Sequence, residues 1–480
     1  MSYVGGESRG QGALFPVALE DLMPEDHAVR VIEAFAEQLD LVALGFAKAQ
    51  PAPTGRPPYD PSDLLKLYLY GYLNHVRSSR RLERECGRNV ELMWLLKRLA
   101  PDHKTIAEFR RENAASFKAV CRAFVRFCAE AKLIGGQWVA IDGSKFQAVA
   151  SKRAVVSRSR LEEELKAIDA EVQRYLETLD RADGDEEQAY GDDRQAVREA
   201  LSRLQQRRAD LVSTSAILEE LKQTHHVMGE PEARLMRTAQ GSAKVAYNVQ
   251  TAIDAKHKLV VHHEVTNHSN DERSLLPMAL GAKQVLGNQT LNVVADGGYS
   301  NGEHAKACED AGITPYAPAQ RAVNNKDGGV YFERSQFVYD ERSDSYHCPA
   351  GEVLRRKRSS TRDRLVHYTT DACAGCQLKP QCTGARQRLV TRHFYEDALE
   401  RMRERVQANP AVMALRRESA EHPFANLKHR ILGNARLLMR GLLGASGEMA
   451  LAVLAYNFRR ALNLLGSNRM MQRLLSQPAS

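Results

Sequence analysis

The sequence predicts a mixed α/β protein, with a helical N-terminal part, a central sheet, and two inserts, one a helical hairpin and one rich in cysteine. Three observations predict it. Short apolar runs at residues 138–141, 246–254, 259–265 and 291–295 have the length and composition of strands, and helical segments are interleaved with the later ones. A charged, leucine-bearing stretch over 157–222 interrupts the strand series and reads as two helices. Four of the eight cysteines fall within residues 348–382, while the other four are scattered.

The first part, residues 1–115, reads as helices from about residue 14. Pro61-Ser62-Asp63 opens a run to Leu73 with leucines at helical spacing, after a Pro-rich loop over 51–58. Helices over 78–85 and 90–99 flank Gly87-Arg88-Asn89, and one over 105–112 follows the turn at Pro101-Asp102. Short helices with clustered arginines fit a helix-turn-helix-like DNA-binding module. A purely structural bundle fits them equally well.

The pattern changes at Gly135-Gly136, and residues 116–156 with 223–320 form the expected catalytic core. A strand over 138–141 ends in Asp142-Gly143-Ser144. The hairpin insert, 157–222, has helices over 161–179 and 194–221 around an acidic loop over 183–193, its charges forming a solvated face. Strands return at 246–254 and 259–265. A helix over 274–286 leads to a strand over 291–295 that ends at Asp296-Gly297-Gly298-Tyr299. A helix over 301–311 and a strand over 314–317 complete this part. Residues 321–392 are the cysteine-rich insert, and 393–480 are helical, with helices over 395–406 and 410–431.

Lys+Arg 68 against Asp+Glu 60 gives a net charge of +8 and a pI near 9.0, which modestly favours polyanionic partners. Residues 1–11 lack an apolar leader core, and the apolar stretch over 451–456 is too short to span a bilayer. These features predict no membrane association and a cytoplasmic, reducing setting.

Asp142 and Asp296 hold equivalent positions, each closing an apolar run and each followed by Gly. Ligand sites of open α/β sheets favour that carboxyl edge. A strand-end Asp more often only caps a turn, but two on neighbouring strands would form a shared site. Arg417, Glu421 and Lys428, spaced four and seven residues apart, share one face of an ideal helix. Taken alone, they fit an exposed ion-pair stripe. Pro423 implies a kink or a helix start nearby.

Asp-Gly after a first strand, Ala-Asp-Gly-Gly-Tyr after a later one, and Arg-x3-Glu-x6-Lys on a C-terminal helix together resemble the signature of DDE transposases of bacterial insertion sequences. The opening hundred residues, with Pro-Tyr-Asp-Pro and Asp-His-Lys-Thr-Ile-Ala-Glu-Phe-Arg, are similar to the InsH-like N-terminal domain of those enzymes. The resemblance implies an RNase H-like catalytic fold, with Asp142, Asp296 and Glu421 as catalytic carboxylates. Ala414 stands where many relatives carry Tyr.

Carboxylate and water oxygens suit Mg2+ or Mn2+, and two such ions about 4 Å apart can activate the attacking oxygen and stabilise the leaving one. In that scheme Asp142 bridges the ions, Asp296 holds one and Glu421 the other. By resemblance, water hydrolyses a strand at the transposon end and the freed 3′-OH then attacks target DNA. Arg417 and Lys428 would grip phosphate, with Lys145 a further candidate. Glu418 competes with Glu421 for the third place but projects about 100° away from Arg417. His422 receives no role.

Cys348, Cys373, Cys376 and Cys382 fit a structural four-thiolate zinc site, with His347 as a substitute ligand and a neighbouring Arg355-Arg356-Lys357-Arg358 run that could meet DNA. A solvated loop is the plain alternative. Cys86, Cys121, Cys128 and Cys308 read as core fillers. The expected partner is double-stranded DNA, both transposon ends and target, with a homodimer in the assembled complex and a bacterial, nucleoid-associated location. A metal nuclease without strand transfer, or a transposase-derived DNA-binding protein, are the competing readings.

Overall fold

The computed structural model describes residues 18–51, 53–54, 57–184, 191–220, 223–237, 241–319, 331–362 and 364–476. The opening residues and the centre of the expected acidic loop (185–190) lie outside them.

Six helices come first: α1 (Ala28–Glu37), α2 (Pro61–Leu73), α3 (Ser79–Cys86), α4 (Val90–Leu95), α5 (His103–Glu112) and α6 (Ser116–Glu130). Side-chain caps start four of them: His27, Asp60, Asn89 and Asp102 each accept from backbone N–H groups of the first turn. α4 is shorter than the expected 90–99 helix, because Lys97 and Arg98 adopt left-handed φ values of 52° and 63°.

The central sheet begins with β1 (Trp138–Gln147). β2 (Val155–Ser157) leads into the long helices α7 (Arg158–Gly184) and α8 (Gly191–Glu220), and β3 (His225–Val227) pairs back with β2. Leu161, Ile168, Leu211 and Leu218 form the seam of this hairpin, and Arg208–Asp169 and Arg207–Glu164 pair across it. Next come β4 (Arg234–Arg237), β5 (Ala243–Asp254), β6 (Val260–Thr266), α9 (Leu275–Leu286), β7 (Leu291–Val294), α10 (Gly302–Asp310) and β8 (Ile313–Tyr316). β1 lies at the centre, antiparallel to β5 on one side and parallel to β7 on the other. β6 and β4 extend the sheet beyond β5, and β8 lies parallel beyond β7.

β1 departs from the sequence expectation. Its strand does not end at Asp142 but runs on to Gln147, because β5 pairs with it throughout, Asp142 opposite Thr251 and Gly143 opposite Gln250. Asp-Gly is therefore strand here, not turn.

The cysteine-bearing segment folds as an antiparallel sheet of β9 (Val338–Asp340), β10 (Ser345–His347), β11 (Val353–Ser360), β12 (Leu365–Thr369) and β13 (Val390–His393), with the short α11 (Lys379–Cys382) before β13. Tyr346, Leu354, Tyr368 and Val390 give it a small core of its own. The chain then runs through α12 (Glu396–Ala408), α13 (Ala411–Ala425), a π-helical turn (Asn426–Ile431), α14 (Gly441–Leu465) and α15 (Ser467–Leu475).

α14 is buried along most of its length and packs on α2, α6 and β6. Phe458 meets Phe124 at 5.4 Å and Phe35 at 5.9 Å between ring centroids, so N-terminal and C-terminal helices share one core. Asn457 accepts from the Val260 N–H at 2.9 Å and donates to its carbonyl at 2.8 Å, fixing α14 to the sheet. Among the described residues, no helix is long and apolar enough to cross a membrane.

Candidate active site

Alternation along β1 divides its side chains between two faces. Asp142, Ser144 and Phe146 face α13 and the π-helical turn. Arg416 on α13 places Nη2 2.8 Å from Asp142 Oδ1 and 3.3 Å from Asp296 Oδ2. Lys428 donates to the Ser144 hydroxyl and lies over the Phe146 ring at 5.3 Å.

The register explains the meeting of the two aspartates. Val139 pairs with Val293 and Ala140 with Val294, so Asp142 and Asp296 stand level on neighbouring parallel strands. Asp296 follows β7 and caps the next turn by accepting from the Gly298 N–H at 2.8 Å. Burial pushes the Asp142 carboxyl up to about 6; Arg416 and the Gly143 N–H oppose the shift, and the Asp296 charge adds to it.

The opposite face of β1 carries a buried polar network that the sequence reading missed. A Cβ on Gly143 would lie 2.3 Å from Gln250 Nε2, 2.7 Å from Asp271 Oδ1 and 3.0 Å from the Tyr299 hydroxyl. Asp271 accepts from Asn248 and Gln250, each at 2.6 Å, and stands 3.6 Å from Lys145 Nζ. Tyr299 donates to Gln250 Oε1. Burial holds the Tyr299 phenol far above its ordinary value, reinforced by Asp271, Asp142 and Asp296, so it remains a donor. Lys145 and Lys428 are both lowered by burial, opposed by Asp271 and Asp142 for the first and by Asp142 for the second.

Of the expected site residues, Asp142, Asp296 and Lys428 meet on one face of β1, while Lys145 lies on the other, beside Asp271. Glu421, Arg417 and the competing Glu418 lie exposed on α13, and among the described residues none of them has a hydrogen bond or ion pair. Arg416, not Arg417, reaches the aspartates. Pro423 lies within α13, and the wider turn begins before Lys428, so the ideal helical register does not hold across the motif. His422 turns away to the Tyr456 hydroxyl at 3.1 Å. Arg416 Nε and Ser419 Oγ are buried without partners.

Cys348, Cys373, Cys376 and Cys382 line one cavity with Phe332, Leu378 and Arg388. Burial raises the Cys382 thiol; Arg388 opposes this, and Cys373, Cys348 and Cys376 add to it. All eight cysteines are free. Cys86, Cys121, Cys128 and Cys308 are buried, as expected of core fillers. Among the described residues, however, no group of three or more His, Cys, Asp or Glu side chains is disposed to hold a metal ion, whether at the carboxylates or at the thiols.

Comparison with known proteins identifies two segments. Residues 17–112 match the family described as Transposase domain (DUF772), and residues 347–462 match the Transposase DDE domain. The second match contains Arg416, Glu421 and Lys428. No curated protein matches the chain. Among solved structures, a piggyBac transposase synaptic complex with hairpin DNA, determined by cryo-EM, aligns over 94% of this chain and 82% of that one, at 9% identity and a TM-score of 0.26.

Proposed function

With a transposase domain and a transposase DDE domain in one chain, this is a DDE-type transposase, and we propose that it binds the ends of an insertion sequence, hydrolyses DNA phosphodiesters there and transfers the 3′-OH ends to target DNA. The observation that carries this reading is the level placement of Asp142 and Asp296 on adjacent parallel strands, converging on the cation of Arg416. A carboxylate pair that already accommodates one positive group is chemically suited to hard divalent cations. The central β1, antiparallel to one neighbour and parallel to the other, supports an RNase H-like fold.

In this reading Asp142, Asp296 and Glu421 would hold Mg2+ or Mn2+. Bound there, such ions would supply charge stabilisation at the attacking and leaving oxygens. The chain's own residues do the positioning. Lys428, held by Ser144 beside Asp142, and Lys145, held by Asp271, supply positive charge to a phosphate at this edge of the sheet. Arg417, exposed on α13, is a further phosphate contact. Tyr299 and Gln250 brace the floor beneath Gly143. Two copies act together in the assembled complex, one for each end.

We further propose that the four thiols lining one cavity in the small sheet would hold a structural zinc ion, although among the described residues they are not grouped around one.

The test is cleavage and joining of a labelled transposon-end duplex with Mg2+ or Mn2+, comparing the natural chain with Glu421→Gln. Metal-dependent cleavage and joining, lowered at least about 100-fold by the substitution, is expected. Full activity in the variant would move the third place to Glu418. End binding without any chemistry in the natural chain would instead favour a DNA-binding protein derived from a transposase.

A further inference from the structure

Residues 355–364 hold six basic residues and one acidic one. The described ones, 355–362 and 364, form the outer half of the β11–β12 hairpin. Arg355, Arg356, Lys357 and Arg358 are exposed in succession, whereas Leu354 is buried in the small core. The pairing to β12 slips between Arg356 and Arg358, leaving Lys357 as an extra, bulged residue. Such a bulge re-aims side chains, so the cations do not simply alternate between two faces.

Partners for this charge are scarce. Arg356 pairs with Asp344 at 3.5 Å and Arg364 with Glu303. Among the described residues, Arg355, Lys357, Arg358 and Arg362 have no acidic partner. A surface that serves only solubility intersperses both signs, since like charges in a row repel.

The turn end of the hairpin also packs beside α10, next to the candidate site. Arg364, at its turn end, pairs with Glu303 at the start of α10, the helix that follows Asp296 and its turn. The Arg364 carbonyl accepts from the Phe394 N–H at 2.9 Å, and a Cβ on Gly302 would lie 2.5 Å from His393 Nδ1, so β13 sits tightly against α10. The hairpin is thus held beside the helix that follows Asp296 and its turn.

We propose that the β11–β12 hairpin is a second DNA-contacting element, in which Arg355, Lys357, Arg358 and Arg362 bind the phosphate backbone of the duplex held at the Asp142–Asp296 edge. It rests on the reading that this edge works on DNA. The contacts are to phosphate and carry no sequence preference. Beyond Arg355 the edge of β11 is no longer paired by β10. Cations there would also discourage edge-to-edge association, which is the competing role.

The experiment measures binding of the full chain to a labelled duplex of arbitrary sequence, between about 50 and 200 mM salt and with a chelator present. The natural chain is compared with Arg355→Gln/Lys357→Gln/Arg358→Gln/Arg362→Gln and with Lys357→Gln alone. The fourfold variant is expected to bind at least about tenfold more weakly, with a slope of log affinity on log salt shallower by about three to four, and the single variant shallower by about one. Unchanged slopes would overturn the proposal, as would self-association of the variants with DNA binding intact. If the natural chain binds no duplex, the DNA reading of the catalytic edge falls as well. If it binds and the variants match it, only the hairpin's role falls.

Discussion

Arg416 stands between Asp142 and Asp296, with one guanidinium nitrogen 2.8 Å from the first carboxylate and 3.3 Å from the second. It neutralises two acids that would otherwise repel each other at the centre of the sheet. Removing it should leave them uncompensated. Arg416→Gln is expected to lower stability by roughly 1–3 kcal/mol in chelator. Mg2+ or Mn2+ should restore more of the melting temperature in this variant than in the natural chain, because the cation no longer competes with the guanidinium. Thermal unfolding with and without metal measures both effects.

The Asp142 carboxyl, raised by burial from 3.8 to about 6, makes a pH prediction. The folded state binds this proton more tightly than the unfolded chain does, so the group favours folding at acid pH. That contribution is lost as pH rises from about 4 to about 6, and above this window the charged form destabilises the fold. Asp142→Asn should therefore raise stability at pH 7 by roughly 1–3 kcal/mol in metal-free buffer, with little change near pH 4. Equal effects at both pH values would argue against a desolvated carboxylate. The same substitution should abolish strand cleavage.

Gly143 makes a steric prediction. Its missing side chain leaves the space filled by Gln250, Asp271 and Tyr299, which would lie 2.3, 2.7 and 3.0 Å from a Cβ. Gly143→Ala is expected to cost about 1–3 kcal/mol by overpacking. It should also displace β1 relative to β7, so DNA cleavage should fall more than stability at permissive temperature accounts for. Denaturant unfolding beside a cleavage assay separates the two.

The thiol cavity makes a metal prediction. Purified protein should carry about one zinc per chain, and Cys373→Ser should release most of it. Chelation should loosen the small sheet first, seen as faster hydrogen exchange in β10 to β12 than in β1. Protein without zinc whose four thiols react freely would refute the site.

How far the sequence reached depends on the range of each signal. Apolar runs located the buried strands, and the Pro61-Ser62-Asp63 opening and the Pro101-Asp102 turn located helix starts, because these features act within a few residues. Asp142 and Asp296 were legible as a pair since both follow short apolar runs, and the parallel register set them level. β1 proved longer than expected, because pairing with β5 overrides the turn tendency of Asp-Gly. Arg416 was missed since an ideal helix groups Arg417 with Glu421, while the packing of α13 on β1 turns the preceding arginine inward. Asp271 lies in the connection between β6 and α9, with no motif around it; only the fold brings it to Gly143.

The shared core of the N-terminal helices and α14 has a consequence for synthesis. Phe35 and Phe124 emerge early from the ribosome but await Phe458, and Arg77 awaits the buried Glu448, 3.0 Å away in the finished fold. The helices that open the chain therefore cannot complete their packing until nearly all of it has been made. A prematurely terminated product would present apolar surface for proteolysis in place of a folded N-terminal unit. Full-length translation thus becomes a condition for the opening domain to persist at all.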